Sequence, residues 1–295
     1  MRGGQVGGYL LVLIAVILWS GLGVVGKGLY RLGVEPLTVV TFRALFACGL
    51  IFTTLVLFKP GLLLVQARQF PALVLYGLVA VALNYASYFY ALKYTTVTTA
   101  IVIVYAHPAL VALLARPIFG EPLDRWKLLA LSLTLGGVFL VAQGYAPERF
   151  ALNLRGVLLA LAASLAITFY NLMGKRLLRD LNSWAIIAYG FLFGGAFLAS
   201  WWGWQGEHRL AYPGLAWGLI AFLALFPSIL AYGLYLRALK HLEAGQAAII
   251  STLEPVLASL LAFLALGELV EPPQLLGGLL VLAGVVILQA RRPSG

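Results

Sequence analysis

Ten apolar runs, joined by short connections, make up almost the whole of this chain. A helix needs about 20 mostly apolar residues to cross the hydrocarbon core of a bilayer, and each run is close to that length. With 62% hydrophobic and 10% charged residues among 295, the chain has too little polar surface for a soluble globule of its size. It is therefore predicted to be an all-α integral membrane protein. Its ten transmembrane helices are predicted at residues 9–30, 36–58, 70–90, 97–118, 126–143, 153–176, 183–203, 213–237, 244–265 and 273–290.

The second half of the chain repeats the first. Residues 238–268 match residues 91–121 without gaps, at an offset of 147 positions (238 minus 91). Both stretches begin Ala-Leu-Lys, carry a central proline and end in Gly-Glu. The first apolar run also recurs, since Gly8–Leu29 matches Gly156–Leu177, which predicts a retained helix and not a cleaved signal peptide. Two five-helix repeats are predicted, at residues 1–147 and 148–295.

The distribution of basic residues predicts how these helices are oriented. An odd number of helices per repeat means that the second copy enters the membrane from the opposite side. If the amino terminus is cytoplasmic, most Lys and Arg residues fall on the cytoplasmic side, as the positive-inside rule requires. The loop after the fourth run carries Arg125 and Lys127, whereas the equivalent loop after the ninth carries Glu268 and Glu271 with no Lys or Arg. This reversal predicts inverted-topology repeats in the cytoplasmic (inner) membrane, with both termini cytoplasmic.

Three other classes of protein are disfavoured by the sequence. The formal charge of +10 does not indicate nucleic-acid binding, because the basic residues lie between apolar runs and form no patch interleaved with exposed aromatics. The stretch Gly21–Gly28, GLGVVGKG, looks like a P-loop, but it ends a membrane helix and does not join a strand to a helix in water. His107, His208 and His241 are far apart, and no HExxH occurs. The sequence therefore predicts no enzyme, no metal site and no cofactor.

Two titratable residues occupy equivalent positions near the middle of the fourth and ninth runs. They are His107, which precedes Pro108, and Glu254, which precedes Pro255. Proline removes one helical hydrogen bond and repels the carbonyl four residues back, so each proline is predicted to kink its helix. Glu254 is interpreted either as a protonated carboxyl bonded to a freed carbonyl or as a carrier of protons or ions. His107 is either satisfied by a neighbour or shares a proton with Glu254.

A polar and aromatic set at similar depth forms the predicted substrate site. Arg43 is the only Arg or Lys well inside a predicted helix; it is either bonded to backbone carbonyls or contacts an anionic group such as a carboxylate. Tyr85 and Tyr88 share one helix face and could form an aromatic wall, although simple core packing explains them almost as well. Trp19 either packs between helices or lines a cavity. Beside His107 and Glu254, the predicted lining is Trp19, Arg43, Asn84, Tyr85, Tyr88, Asn171 and Tyr232.

These features resemble the drug/metabolite transporter superfamily, in its ten-helix EamA-type branch. The opening ILWSGLGVVGK, with Trp19 and Lys27, is similar to the family's pattern of a tryptophan followed later by a lysine. Arg43, in TFRALFA, lies where the second helix of such proteins often carries an arginine. The strongest similarity is in PALVALLARPIFGE and EPVLASLLAFLALGE, which resemble the family's proline-to-Gly-Glu signature in both repeats. Two positions depart from the pattern: Ser20 stands where many members have glycine, and His107 where a carboxylate or apolar residue is expected.

The resemblance implies a secondary transporter, typically an exporter of amino acids, other small metabolites or drugs, which works by alternating access around a central cavity. We expect the site near the midplane, with Arg43 meeting a carboxylate, the aromatics holding the substrate's body, and Glu254 with His107 as candidate proton sites. The expected partners are a small-molecule substrate, the lipid bilayer and protons. Two alternatives stay open: a phosphorylated-metabolite or nucleotide-sugar exchanger, and a non-transporting membrane scaffold.

Overall fold

The computed structural model describes residues 2–149, 153–206, 210–266 and 270–290, and the regular structure in these ranges is entirely helical. Nine of the described helical segments are long and apolar enough to cross a membrane. A tenth, Arg125–Val141, has 17 residues, which is enough for about 26 Å. The predicted all-α membrane fold is confirmed. The helices are α1 (Arg2–Ser20 and Leu22–Arg31), α2 (Pro36–Phe58), α3 (Phe70–Tyr76, Gly77–Leu83 and Asn84–Tyr94), α4 (Val97–Val104 and His107–Phe119), α5 (Arg125–Val141), α6 (Leu154–Leu177), α7 (Ser183–Trp204), α8 (Gly214–Leu223, Ala224–Leu230 and Ala231–Ala238), α9 (Ala244–Ser251 and Leu253–Leu266) and α10 (Pro272–Ala290).

Helices α4 and α9 are each broken just before their central proline. The first half of α4 ends at Val104, four residues before Pro108, and the first half of α9 ends at Ser251, four residues before Pro255. The proline ring clashes with the carbonyl four residues back, which explains why both helices stop there. The structure therefore places a break directly upstream of each proline that was predicted to kink its helix. Helix α1 is interrupted as well, at Gly21.

Helices α3 and α8 each contain a π-helical segment, Gly77–Leu83 in α3 and Ala224–Leu230 in α8. The two segments are offset by 147 positions (224 minus 77), the spacing of the sequence repeat. π-Helical turns inside α-helices are often found at functional sites. The α3 segment packs against α6 and α7, and the α8 segment packs against the equivalent helices α1 and α2.

Helix packing follows the same two-fold relation. Helix α5 packs along α10, α2 packs along α7, and the contact of α3 with α6 is matched by that of α8 with α1. Helices α5 and α10 approach so closely that a Cβ atom added to Gly137 or to Gly277 would lie 2.6 Å from the other residue's carbonyl oxygen. Helices α4 and α9 meet through the second half of α4 and the first half of α9. Exchanging the two halves maps α5–α10 and α2–α7 onto themselves and α3–α6 onto α8–α1, as inverted repeats require.

Candidate functional site

Arg43 lies buried in α2, with 3% of its surface exposed. Its Nε donates a 2.6 Å hydrogen bond to Ser228 Oγ in the π-helical segment of α8, and Ser228 donates to the Leu223 carbonyl at 2.9 Å. The guanidinium carbon is 4.6 Å from the centroid of the Tyr85 ring, which is a cation–π contact. Nη2 is buried and has no hydrogen-bond partner in the described part of the chain. A charged donor therefore remains available for an anionic group.

A cluster of aromatic rings centred on Tyr232 lies beside Arg43. The Trp19 ring is 5.1 Å from Tyr232 and its Nε1 donates to the Pro227 carbonyl at 2.9 Å. Tyr232 is also 5.1 Å from Tyr170 and 6.5 Å from Tyr85, between ring centroids. These spacings are typical of edge-on aromatic packing. The cluster joins α1, α3, α6 and α8, so it spans both repeats.

A cavity of about 10 Å³ lies among these rings, which leaves room for about one water molecule. A site for a small-molecule ligand usually measures about 300 Å³ or more. The rings must therefore separate before this cavity can admit a substrate. Its lining residues are Tyr76, Val81, Tyr85, Tyr170, Ile187, Gly190, Phe191 and Tyr232.

The two predicted amides are bonded within the protein. The Asn171 carbonyl accepts a 2.6 Å bond from the Tyr235 hydroxyl, while its Nδ2 donates to the Ile167 carbonyl at 2.9 Å. Asn84 donates to the Ala80 carbonyl at 3.4 Å, inside the π-helical segment of α3. Asn171 therefore orients a tyrosine, and Asn84 satisfies a carbonyl of its own helix.

Glu254 lies at the start of the second half of α9, directly after the helix break. Its side chain is only partly buried. The Tyr105 hydroxyl and the Arg43 guanidinium are electrostatic neighbours of its carboxyl, and Tyr88 faces it from α3. The carboxyl group of the second repeat thus shares its surroundings with the guanidinium of the first. Tyr105 and Ser228 join this group although the sequence did not single them out.

His107 occupies the equivalent position in the first repeat but has a local partner. It is 5% exposed, and its Nδ1 lies 3.0 Å from the carbonyl of Val104, the last residue before the break in α4. The imidazole ring is 5.6 Å from the ring of Tyr105. Tyr105 therefore neighbours both predicted proton sites. The backbone bond of His107 matches the interpretation of a histidine satisfied by a neighbour.

A second group of charges lies at the end of the bundle that the positive-inside rule predicts to be cytoplasmic. Glu121 is 6% exposed and follows Gly120, whose left-handed backbone ends α4. Its Oε1 accepts bonds from Lys175 Nζ at 2.8 Å and from the backbone N–H of Ala244 at 2.7 Å, and its Oε2 accepts from the N–H of Gly245 at 3.1 Å. The carboxylate therefore caps the amino terminus of α9, where an anion is stabilised by the free N–H groups and the helix dipole.

Two further residues complete this group. Lys127 Nζ lies 3.9 Å from Glu121 and donates to Glu243 at 2.5 Å, while Lys175 also donates to the Leu242 carbonyl at 2.9 Å. We call Glu121, Lys127, Lys175 and Glu243 the Glu121 cluster. It connects α4, α5, α6 and α9. The role of this cluster was not predicted from the sequence, although the Gly-Glu ending shared by both repeats was a signal for it.

Comparison with known proteins gives one family and several relatives. The model of the EamA-like transporter family matches residues 6–143 and 154–289. An uncharacterized transporter of Archaeoglobus fulgidus is 27% identical over 96% of this chain and 98% of its own length. The uncharacterized inner membrane transporter YicL of Salmonella typhimurium is 26% identical over 95% and 94% of the two chains.

Two further matches agree in extent. An uncharacterized protein of Pseudomonas aeruginosa is 33% identical over 82% of this chain and 84% of its own. A solved crystal structure aligns over 98% of this chain and 99% of its own with a TM-score of 0.83 and 20% identity, a likeness that concerns the fold alone.

Proposed function

Because the chain belongs to the EamA-like transporter family, we propose that it is a secondary transporter that exports small carboxylate-bearing metabolites, such as amino acids, across the cytoplasmic membrane by alternating access. The observation that carries this proposal is Arg43, a buried guanidinium in a membrane helix with an unbonded Nη2. Intramembrane charge is expensive and usually faces a cavity or a ligand pathway. A substrate carboxylate satisfies both the charge and the free donor.

Substrate binding uses the two sides of this site differently. Ser228 and the Tyr85 ring hold the guanidinium in place, so it presents Nη2 without first having to be ordered. The rings of Trp19, Tyr170 and Tyr232 supply an apolar surface for the rest of the substrate. The present cavity measures about 10 Å³. The two halves must therefore rock apart and widen the site before a substrate can enter. A phosphorylated metabolite or nucleotide sugar would need several deep cations, and the sequence places only Arg43 well inside a predicted helix.

The Glu121 cluster is the gate of this mechanism at the predicted cytoplasmic end. Its bonds fix the amino terminus of α9 to the loop after α4 and to Lys175 at the end of α6. An opening between these helices requires the bonds of Glu121 to α9 to separate. The conformation described here is therefore assigned to the state that is closed on this side.

Glu254 provides the coupling step. When Glu254 has lost its proton, its carboxylate pairs with the ammonium group of an amino acid whose carboxylate is held by the neighbouring Arg43. A proton that binds Glu254 from the outside neutralises this carboxylate, so the ammonium group loses its partner and the substrate is released outside. Release of the proton to the cytoplasm restores the carboxylate, which then binds the next substrate. Proton and substrate therefore compete for Glu254, and one substrate leaves for each proton that enters.

Transport by purified protein in liposomes tests the substrate assignment. We expect counterflow of radiolabelled amino acids with the wild type, and at least a tenfold loss with Arg43→Gln, because a hydrogen bond to a charged group contributes about 1.5–3 kcal/mol. Arg68→Gln, at an exposed position outside the bundle, is the matched control. Equal counterflow by wild type and Arg43→Gln would reject the role of Arg43. Transport of nucleotide sugars in place of amino acids would reject the substrate class.

Glu254→Gln tests the coupling step separately. This variant keeps the size and a polar group but cannot release a proton. We expect it to retain counterflow, which needs no net proton movement, and to lose accumulation driven by a pH gradient. Accumulation that still follows the pH gradient in Glu254→Gln liposomes would show that the proton travels elsewhere.

A further inference from the structure

A second cavity, of about 410 Å³, lies at the predicted cytoplasmic end, apart from the central rings. Three structural parts form it: the connection between α2 and α3, the amino terminus of α7, and the end of α8 with the linker that leads to α9. The lining contains three basic side chains and no acidic one. Its residues are Leu62, Asn182, Ser183, Trp184, Arg237, Lys240 and His241.

Among the described residues, no acidic side chain forms an ion pair with the basic residues of this cavity. Arg237 and Lys240 are exposed, and the ion pairs of the described residues join other side chains. The amino terminus of α7 adds the positive end of a 22-residue helix. Asn182 orders this wall, because its Oδ1 caps the Ala185 N–H at 2.9 Å while its Nδ2 donates to the Leu62 carbonyl at 2.8 Å. The result is a concave site lined by positive charges that have no ion-pair partner in the described ranges.

The surroundings of the cavity are those of a membrane interface. The Trp184 ring packs so closely on α8 that a Cβ atom added to Gly233 would lie 2.7 Å from it, and tryptophan favours the headgroup level of bilayers. Phe58 and Leu64, on either side of Leu62 in the chain, are 77% and 80% exposed. Apolar side chains with this exposure next to a basic cavity match the boundary between acyl chains and headgroups.

We infer that this cavity binds the phosphate group of an anionic phospholipid in the inner leaflet. Basic pockets between transmembrane helices on the cytoplasmic side are suited to such headgroups. The bound phosphate bridges the amino terminus of α7 and the linker that carries Lys240. The same linker continues into Leu242 and Glu243, which bond to Lys175 and Lys127. The bound lipid therefore stabilises the linker from α8 to α9, which is also bonded to the Glu121 cluster.

Thermal unfolding in a nonionic detergent tests this site, because a ligand that binds the folded state raises its apparent stability. Short-chain phosphatidylglycerol, short-chain phosphatidylcholine and inorganic phosphate are titrated in parallel. The variant is Arg237→Gln with Lys240→Gln. The matched control is Lys59→Gln with Arg68→Gln, which removes two exposed basic residues predicted to be on the same side of the membrane but outside the cavity.

We expect phosphatidylglycerol alone to raise the Tm of the wild type and of the control. The Arg237→Gln/Lys240→Gln variant should bind it roughly 30-fold more weakly, on the order of a fivefold loss per cation near an anionic lipid. If the double variant does not fold, Lys240→Gln alone gives the fivefold comparison. If the control variant loses as much affinity for phosphatidylglycerol, the effect comes from general surface charge and the proposed site is rejected. An equal rise in Tm with inorganic phosphate or phosphatidylcholine would overturn the lipid assignment.

Discussion

Two buried charges in this protein, Glu121 and Arg43, are satisfied in opposite ways. Both oxygens of Glu121 accept hydrogen bonds, from the N–H groups of Ala244 and Gly245 and from Lys175. Arg43 uses Nε to bond one hydroxyl and stacks on a ring, while its Nη2 has no partner among the described residues. Both residues are at least nine-tenths buried, with 6% and 3% exposed. Their difference therefore lies in bonding and not in depth.

This difference separates a structural charge from a ligand-binding one. A buried ion whose bonds are complete holds the elements that supply its partners, and removing it strands those partners. A buried ion with an unused hydrogen-bond donor has lost its hydration without full compensation from the protein. A ligand that accepts a bond from this donor supplies the missing interaction. Glu121 therefore belongs to the framework of the closed end, and Arg43 belongs to the site. Each assignment predicts a different response to removal of the charge.

The largest effect is expected for Glu121→Gln. The amide leaves Lys175 and the buried Lys127 without their shared anion and cannot accept from all of the present donors. Breaking a buried ion pair in this way destabilises proteins by about 3–5 kcal/mol, so the Tm in detergent should fall further than for any other variant discussed here. Glu243→Gln is the control, because Glu243 is 24% exposed and pairs only with Lys127 among the described residues. A Tm of Glu121→Gln equal to that of the wild type would remove Glu121 from the framework.

Arg43→Met is expected to act in the opposite direction. Methionine fills a similar volume without a charge, and replacing buried charged groups with apolar residues of similar volume is often neutral or stabilising by about 1–4 kcal/mol. Ser228 keeps its bond to the Leu223 carbonyl, so no new buried donor is stranded. The Tm of Arg43→Met should equal or exceed that of the wild type, while substrate counterflow is lost. A fall in Tm as large as that of Glu121→Gln would make Arg43 part of the framework as well.

The sequence predicted the framework of the helices because apolar length and proline act locally. The helix predicted at 36–58 has the same bounds in the structure, Pro36–Phe58. The breaks in α4 and α9 lie four residues before Pro108 and Pro255, where the proline ring would clash with the carbonyl of a continuous helix. The resemblance to the EamA-type branch is confirmed by the family match. Neither π-helical segment was predicted, although Ala224–Leu230 contains Pro227 and Gly77–Leu83 contains no proline.

The bonding state of each charge could not be predicted, because it depends on distant partners. Ala244 is 123 residues from Glu121, and Ser228 is 185 residues from Arg43. Only helix packing brings these atoms together. His107 shows the reverse case, since its partner Val104 is three residues away, but the sequence could not decide between that bond and a proton shared with Glu254. The roles of the nine predicted lining residues stay predictions until transport is measured.

The smallest effect is expected for Ser228→Ala, which keeps the Arg43 charge and removes the one side-chain hydrogen bond that Arg43 makes among the described residues. A typical hydrogen bond contributes about 0.5–1.5 kcal/mol, so we expect a small fall in Tm and a severalfold weaker apparent affinity for substrate, because the guanidinium is no longer held on the Tyr85 ring. Ser164→Ala is the matched control: Ser164 is also fully buried, but its hydroxyl has no partner among the described residues. Removal of that hydroxyl should leave the Tm unchanged or raise it. If Ser228→Ala instead behaves like Ser164→Ala in both Tm and substrate affinity, the guanidinium is positioned by Tyr85 alone. The orientation of the unbonded Nη2 of Arg43 then depends on its contact with the Tyr85 ring and not on the π-helical segment of α8.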